Sequence, residues 1–425
     1  MMMRKGTTRA ALAAACGALL MAAPALPQSP SVTQRVESPE LLELARQTVF
    51  RHPEVLAARA AADASNALRS AAERPLFNPE IDIEFEDRPH HETRVFALNQ
   101  TLDIAGQRGA RAGVALHESD RAASQLTAAR RRIAGEFLHL LGDYWTAASQ
   151  DELAETRIGL MRSFADLTLR RRQAGDLTQV ELNSANLAYA QAEIAHATAE
   201  SALTAADQAL RAVAPAPPPA SWPALPAELQ SITADGPVLE RLLAELPDIR
   251  TRRAEAARAA AAVELRVRER RANPVLSLGV GEEDDESFIA FNVSMPLNIR
   301  NRYVQEVAAA RAEQTMSERE AENTEVRARQ RLLAARERYR LTHEAWISWR
   351  QSGEPSLVGQ AELLERLVLA GELSTTDYLV QLNQTLDAAM NALELRREFW
   401  RSWFEWLDAS GQTDAWLGLD SGVER

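Results

Sequence analysis

Ala174-Gly175-Asp176-Leu177-Thr178-Gln179-Val180-Glu181 returns, 196 residues later, as Ala370-Gly371-Glu372-Leu373-Ser374-Thr375-Thr376-Asp377. Each copy places a glycine where a helix ends in a left-handed residue. A hydroxyl residue follows, with an acid three positions on, the signature of a capping box that starts the next helix. Both stretches therefore read as tight helix–turn–helix tips. Three further anchors repeat at nearly the same offset. His52-Pro53-Glu54-Val55 returns as Leu246-Pro247-Asp248-Ile249, and Asn78-Pro79 as Asn273-Pro274. The alternating series Phe96, Leu98, Gln100, Leu102, Ile104 returns as Phe291, Val293, Met295, Leu297, Ile299. A period this long exceeds any solenoid unit. The chain reads as a tandem duplication of one half-molecule.

Outward from the first tip, residues 107–173 contain no proline. One helix over that span would be about 100 Å long. Ile133, Phe137, Leu140, Tyr144 and Ala147 form a coiled-coil seam, and Leu138, Leu141, Trp145 and Ala148 a second stripe beside it. Leu332, Ala335, Tyr339, Thr342, Trp346 and Trp349 repeat the pattern in the second half. There the helix is expected from about 300 to 352, to break at Gly353-Glu354-Pro355, and to resume to 369. Returning helices are expected over 178–213 and 374–408.

Each half also carries two short segments of period-two alternation. Ile81, Ile83 and Phe85 alternate with Asp82, Glu84 and Glu86; Leu276, Leu278 and Val280 alternate with Ser277 and Gly279. Residues 92–102 and 287–296 supply the partner strands, the second with Ile289, Phe291, Val293 and Met295 on one face. Lengths of roughly nine to eleven residues suit tilted transmembrane β-strands. Four strands cannot close a barrel, and an open edge cannot face lipid, so the pattern demands oligomerisation. Three copies give a twelve-stranded barrel, an even number within the bacterial range.

The ends and composition agree. Arg4, Lys5 and Arg9 precede a short apolar run, and Ala23-Pro24-Ala25 supplies small residues for cleavage. Residues 1–25 therefore read as an export signal, with the mature chain starting at Leu26. Cys16, the sole cysteine, lies within it; a lipidation site there is the alternative. Loss of three cations takes the net charge from −12 to −15 and leaves a chain without lysine or cysteine. Such a chain is no candidate for nucleic acid. It has no run of apolar residues long enough for a transmembrane helix, so any membrane crossing must be by strands. Walker, GxGxxG, HExxH and GxSxG patterns are absent, so neither an enzyme nor a cofactor is expected. His90-His91, with Asp87 and Glu92 nearby, read as a solvated loop rather than a metal site, since neighbours in extended chain point opposite ways; the acidic run 282–286 reads as a solvated turn, with a bias of the pore mouth toward cations as the alternative.

The signal, the duplicated strand pair with helical hairpin, and the Gly-x-Leu-[Ser/Thr]-x-x-[Asp/Glu] tips together resemble TolC-like outer-membrane efflux channels. Residues 100–111, Gln-Thr-Leu-Asp-Ile-Ala-Gly-Gln-Arg-Gly-Ala-Arg, resemble the cation-exporting CzcC branch. The resemblance implies a mainly α fold with a small β part. Long helical hairpins form a trimeric α-barrel, and four strands per chain enter a shared twelve-stranded β-barrel. It implies an outer-membrane homotrimer, embedded in lipid, that serves as the passive duct of a tripartite system. An inner-membrane RND-type pump and a periplasmic adaptor complete that system. On this reading residues 26–213 are the first repeat, with a β-hairpin over 79–102 and a helical hairpin over 107–213. Proline-rich 214–235 is the connection. Residues 236–409 are the second repeat, with 274–297 and 300–408 as its hairpins, and 410–425 is a tail. Adaptor docking falls to Gly175, Leu177, Thr178, Glu181, Gly371, Leu373, Ser374 and Asp377. Asp377 also matches an acidic ring at the periplasmic aperture, although Val380 stands where the family carries a second acid. A periplasmic coiled-coil scaffold without a barrel, and a channel for drugs or other organic solutes, are the competing readings.

Overall fold

In the computed structural model, residues 33–88, 91–215, 217–284, 286–370 and 372–419 are described. The expected signal, Cys16, His90 and Gly371 lie outside them. The chain runs α1 (Pro39–Arg51), α2 (Pro53–Ala72), β1 (Glu80–Arg88), β2 (His91–Thr101), α3 (Gln107–Gln173), α4 (Gln179–Val213), α5 (Gly236–Ala244) and α6 (Pro247–Glu269). It continues β3 (Val275–Glu283), β4 (Glu286–Ser294), α7 (Val304–Ser348), α8 (Glu354–Ala370), α9 (Thr375–Ser410) and α10 (Thr413–Trp416).

The two halves begin alike. Ser38 caps α1 by accepting from the Leu41 N–H, and Asp235 caps α5 by accepting from Val238. Pro53 and Pro247 open α2 and α6 at the first turn, where no N–H is needed. Gly106 and Tyr303, at φ 68° and 53°, turn the chain from sheet into α3 and α7. Glycine fits the first of these for two reasons: the left-handed φ, and the Arg268 guanidinium, which would lie 2.6 Å from a Cβ there.

The second long helix differs from expectation. It does not break at Pro355. A π-helical turn, Trp349–Gly353, joins α7 to α8, and the Glu354 N–H bonds to the Trp349 carbonyl. Proline cannot donate to the preceding turn and crowds its carbonyl. One wider turn ahead of it absorbs the mismatch, and the helix continues. Gly353 is required inside this turn because the Trp349 ring lies over its Cα.

The principal core joins both halves. Ile133, Phe137, Leu138 and Leu141 of α3 meet Leu332, Ala335 and Tyr339 of α7, and Phe399, Trp403 and Trp406 of α9. Both predicted seams supply residues to it. The connection 217–235 is pinned across this body. Trp145 donates to the Pro223 carbonyl at 2.9 Å, Trp222 to Asp207 at 2.9 Å, and Tyr339 to the Gln230 carbonyl at 2.7 Å. The C-terminal tryptophans pack rather than bind: Trp403 and Trp416 stack edge-on at 6.2 Å. The Val36 N–H reaches the Trp416 carbonyl, and Arg131 pairs with Asp414 at 2.8 Å, so both described ends are fixed here. A smaller core toward the tips comprises Met161, Ala192, Leu382 and Leu386.

Trp403 is about 1% exposed, and its indole N–H has no partner. Trp403→Ala is expected to lower stability by about 3–5 kcal/mol. Trp403→Phe, which removes no hydrogen bond, is expected to cost much less. Chemical denaturation of the two variants checks this; equal losses would place the energy elsewhere than in packing.

Candidate functional site

Three surfaces stand out: the open sheet, the lateral margins of the helical layer, and the hairpin tips.

The sheet has order β1-β2-β3-β4, every neighbouring pair antiparallel. The β2–β3 pair joins the two repeats. Register aligns side chains in rows that cross all four strands. Ile83, Phe96, Val280 and Ile289 form one row, and Ile81, Leu98, Leu278 and Phe291 the next. These side chains are exposed, Ile83 by 71% and Ile289 by 78%. The opposite face carries Asp82, Ala97, Gly279 and Ala290, then Glu84, Val95, Gly281 and Phe288. Phe288 lies over Gly281, where a Cβ would meet its ring at 2.5 Å. Over residues 80–87 the β1 positions on this second face are all acidic: Glu80, Asp82, Glu84 and Glu86. Within the strands this face carries no lysine, arginine or histidine between 80 and 87, 92 and 101, 275 and 283, or 286 and 294. An apolar face this wide is not a surface that water solvates well.

The helices form a layer with two margins. Toward the sheet the neighbours run α2, α3, α6, α7; toward the tips they run α4, α3, α9, then α7 and α8. One margin is therefore α2 and α4, on the β1 side, and the other α7 and α8, on the β4 side. On α4, Val180, Leu187 and Ile194 are exposed at heptad spacing. On the far margin Val326, Val358 and Leu363 are exposed. Interior contacts of the layer are polar as well as apolar: Gln150 donates to Glu394 at 2.7 Å and Arg157 to Asn383 at 3.0 Å.

At the first tip, Gly175 has φ 90°. The Asp176 N–H bonds to the Arg171 carbonyl at 2.9 Å and the Gly175 N–H to Arg172 at 3.1 Å, the paired bonds of a Schellman ending. Thr178 and Glu181 form a complete capping box. Accepting the Thr178 backbone N–H, then its hydroxyl, holds the Glu181 carboxyl below its ordinary pKa. At the second tip the Glu372 N–H bonds to the Leu367 carbonyl at 3.1 Å. Ser374 accepts from the Asp377 N–H and donates its hydroxyl to Asp377 at 2.6 Å. The shorter acid thus closes on the hydroxyl. Leu177 and Leu373 are only half-buried. Each sits just before its N-cap, at the staple position opposite Leu182 or Tyr378, which are half-buried as well. The apolar residue that points free at the first tip is Val180, 73% exposed. Its signal in the sequence is the Val180, Leu187, Ile194 heptad, easily overlooked beside the glycine turn.

Among the described residues no group of three or more His, Cys, Asp or Glu is placed to hold a metal, and no helix is long and apolar enough to cross a membrane.

No family model matches the chain, and no curated protein matches its sequence. Solved structures do match. The outer-membrane channel OprN superposes with a TM-score of 0.73 at 17% identity, over 88% of this chain and 90% of that one. CusC, described in terms of its transmembrane channel formation, gives 0.75 at 13% identity over 89% and 93%. A membrane protein from Pseudomonas aeruginosa gives 0.77 at 16% identity over 92% and 98%. The chain has the fold of outer-membrane channels. TolC-like architecture, mainly helical with four strands per chain, is thereby established at the level of fold.

No atom lies within 4 Å of a Cβ built on Gly175, so the turn is constrained by φ alone. Gly175→Val is expected to destabilise the turn by about 1–3 kcal/mol, and Gly175→Asn by less. Hydrogen exchange over 171–181 checks the order. In the same experiment the wild-type cap persists at neutral pH and opens as pH falls through the depressed Glu181 value, so Glu181→Gln removes that acid step.

Proposed function

We propose that the chain is the outer-membrane duct of a tripartite efflux system, assembled as a homotrimer. The observation that carries this is the coincidence of two unfinished edges. β1 and β4 are the outer strands of the sheet, and the helical margins on the same two sides, α2–α4 and α7–α8, expose apolar residues. A head-to-tail ring satisfies both at once, with β4 and α7–α8 of one copy beside β1 and α2–α4 of the next. Three copies then enclose a twelve-stranded barrel above a helical tube. The apolar rows face lipid, and the rows with Gly279 and Gly281 face the lumen.

The lumenal acids on β1 favour cationic cargo by field alone. That is consistent with the CzcC-like segment at 100–111 and with heavy-metal cations as the exported class. The duct is passive; an inner-membrane RND-type pump supplies the energy, and a periplasmic adaptor docks on the tips, with Val180 the anchor beside Gly175 and Thr178. The second tip contributes Leu373, Ser374 and Asp377, and Asp377 borders the aperture. Cleavage near Ala25 delivers the chain to the outer membrane. A barrel-free scaffold is disfavoured because it leaves the exposed rows of the sheet without purpose.

Planar-bilayer recording on purified trimers tests the reading. The wild type is expected to conduct with a reversal potential favouring cations. Asp82→Asn with Glu84→Gln should assemble normally and lose much of that preference. Ile83→Arg places a charge toward lipid, at roughly 2–4 kcal/mol for a midplane position, and should prevent assembly, whereas Asp82→Arg should not. Equal damage by both arginines, or a protein soluble without detergent, contradicts the proposal.

A further inference from the structure

Four segments meet where the sheet passes into the helices. Leu102 donates to the Pro274 carbonyl at 2.9 Å, and Ala105 to the Asn273 side chain at 3.1 Å. Arg111 donates to the Arg74 carbonyl at 3.1 Å, Asn298 to the Arg270 carbonyl at 2.9 Å, and Arg270 to the Arg302 carbonyl at 2.9 Å. Residues 72–75, 102–111, 268–274 and 298–303 thus lie in one layer. That layer exposes six arginines: Arg74, Arg108, Arg270, Arg271, Arg300 and Arg302.

Their guanidiniums are not ion-paired. The carboxylates in reach are already engaged. Glu264 pairs with Arg268 at 2.7 Å, Glu269 with Arg266 at 2.7 Å, and Glu73 with Arg69 at 3.7 Å. Asp103 accepts the N–H groups of Gln107 and Arg108 at 2.8 Å each, capping α3. Among the described residues, none of the six arginines has an ion-pair partner. Exposed Arg319 and Arg340 of α7, by contrast, pair with Glu322 and Glu337. Six unpaired guanidiniums in one layer repel each other unless an anion joins them.

The layer also has a defined place. Exposed Ile104, Met295, Leu297 and Ile299 extend the apolar rows down to it, and exposed Tyr303 lies within it. Apolar side chains giving way to tyrosine and arginine is the order found where acyl chains meet headgroups. At the opposite end of the sheet acids predominate: Asp87, Glu282, Glu283 and Glu286 flank the strand turns, with Glu92 paired to Arg94. The two membrane boundaries of the sheet therefore present opposite signs.

We propose that this arginine layer binds the phosphodiester headgroups of anionic phospholipids in the leaflet on the helical side of the membrane. Planar guanidinium forks match phosphate oxygens in pairs, which suits arginine in a chain whose only lysine is Lys5. The inference rests on the membrane-spanning reading of the sheet, and it adds a lipid class and a leaflet to it.

The test uses the assembled full chain in nanodiscs of phosphatidylcholine with increasing phosphatidylglycerol, followed by native mass spectrometry of retained lipid. The wild type is expected to retain phosphatidylglycerol preferentially. Arg271→Gln with Arg300→Gln and Arg302→Gln should lower that preference by roughly fivefold per arginine, less at high salt. The corresponding triple lysine variant, which keeps the charge, should retain most of it. Equal retention of both lipids by the wild type overturns the proposal, as does a preference unchanged in the glutamine variant. An equal loss in the lysine and glutamine variants also overturns it, because damage to the junction would then be the cause. Protection of the wild type by inorganic phosphate alone would assign the layer to soluble anions. A shifted reversal potential with lipid preference intact would place the arginines in the lumen. Failure of the wild type to enter nanodiscs at all would sink the membrane reading itself, a result distinguishable from insertion without lipid preference.

Discussion

A β-sheet edge has no tolerable existence in hydrocarbon. Each unpaired N–H and C=O there costs several kcal/mol, so a membrane-spanning sheet must close. This chain supplies four strands with β1 and β4 open, and everything else in its architecture is consistent with closing them by repetition. Tandem duplication gives each protomer two strand pairs and two helical hairpins in the same order. The β2–β3 ladder seals the joint between the halves internally, leaving one edge from each half. The helical margins open on those same sides. Strands and helices thus ask for the same neighbour in the same direction.

The equatorial core makes such an assembly mechanically sensible. A helix about 100 Å long has little stability of its own. Here α3 is clamped near its middle, where Phe137, Leu138 and Leu141 meet the tryptophans of α9, and where the connection between halves is tied down by Trp145, Trp222 and Tyr339. Sheet and tips project from that clamp in opposite directions. On the proposed function, lipid and cargo would meet the chain at the sheet end and a partner at the tips.

Much of this was legible in residues. The proline-free stretch from Gln107 to Gln173 is one helix with those bounds, because nothing in it interrupts the hydrogen-bond ladder. Alternation in β1 and β4 located the strands to within two residues, since the pleat has a fixed period. Turn chemistry at Gly175 and Thr178 was readable because it is local. Expectation failed where a local signal had two physical solutions. Pro355 ends many helices, but a π turn accommodates it here. At the first tip Leu177 is half-buried at the position before the N-cap, while Val180 is exposed. The arginine layer was invisible for a different reason. Its members come from four segments spread over more than half the chain, and only the fold brings them together.

Cysteine pairing between β1 and β4 tests closure most directly, because a cleaved chain would carry no native thiol. Single cysteines placed along 81–87 would be combined with single cysteines along 287–293 and oxidised in the membrane. The account predicts crosslinks between chains, at alternating positions set by one antiparallel register, joining no more than three copies. Crosslinks confined within one chain, or none between chains at any combination, would contradict it.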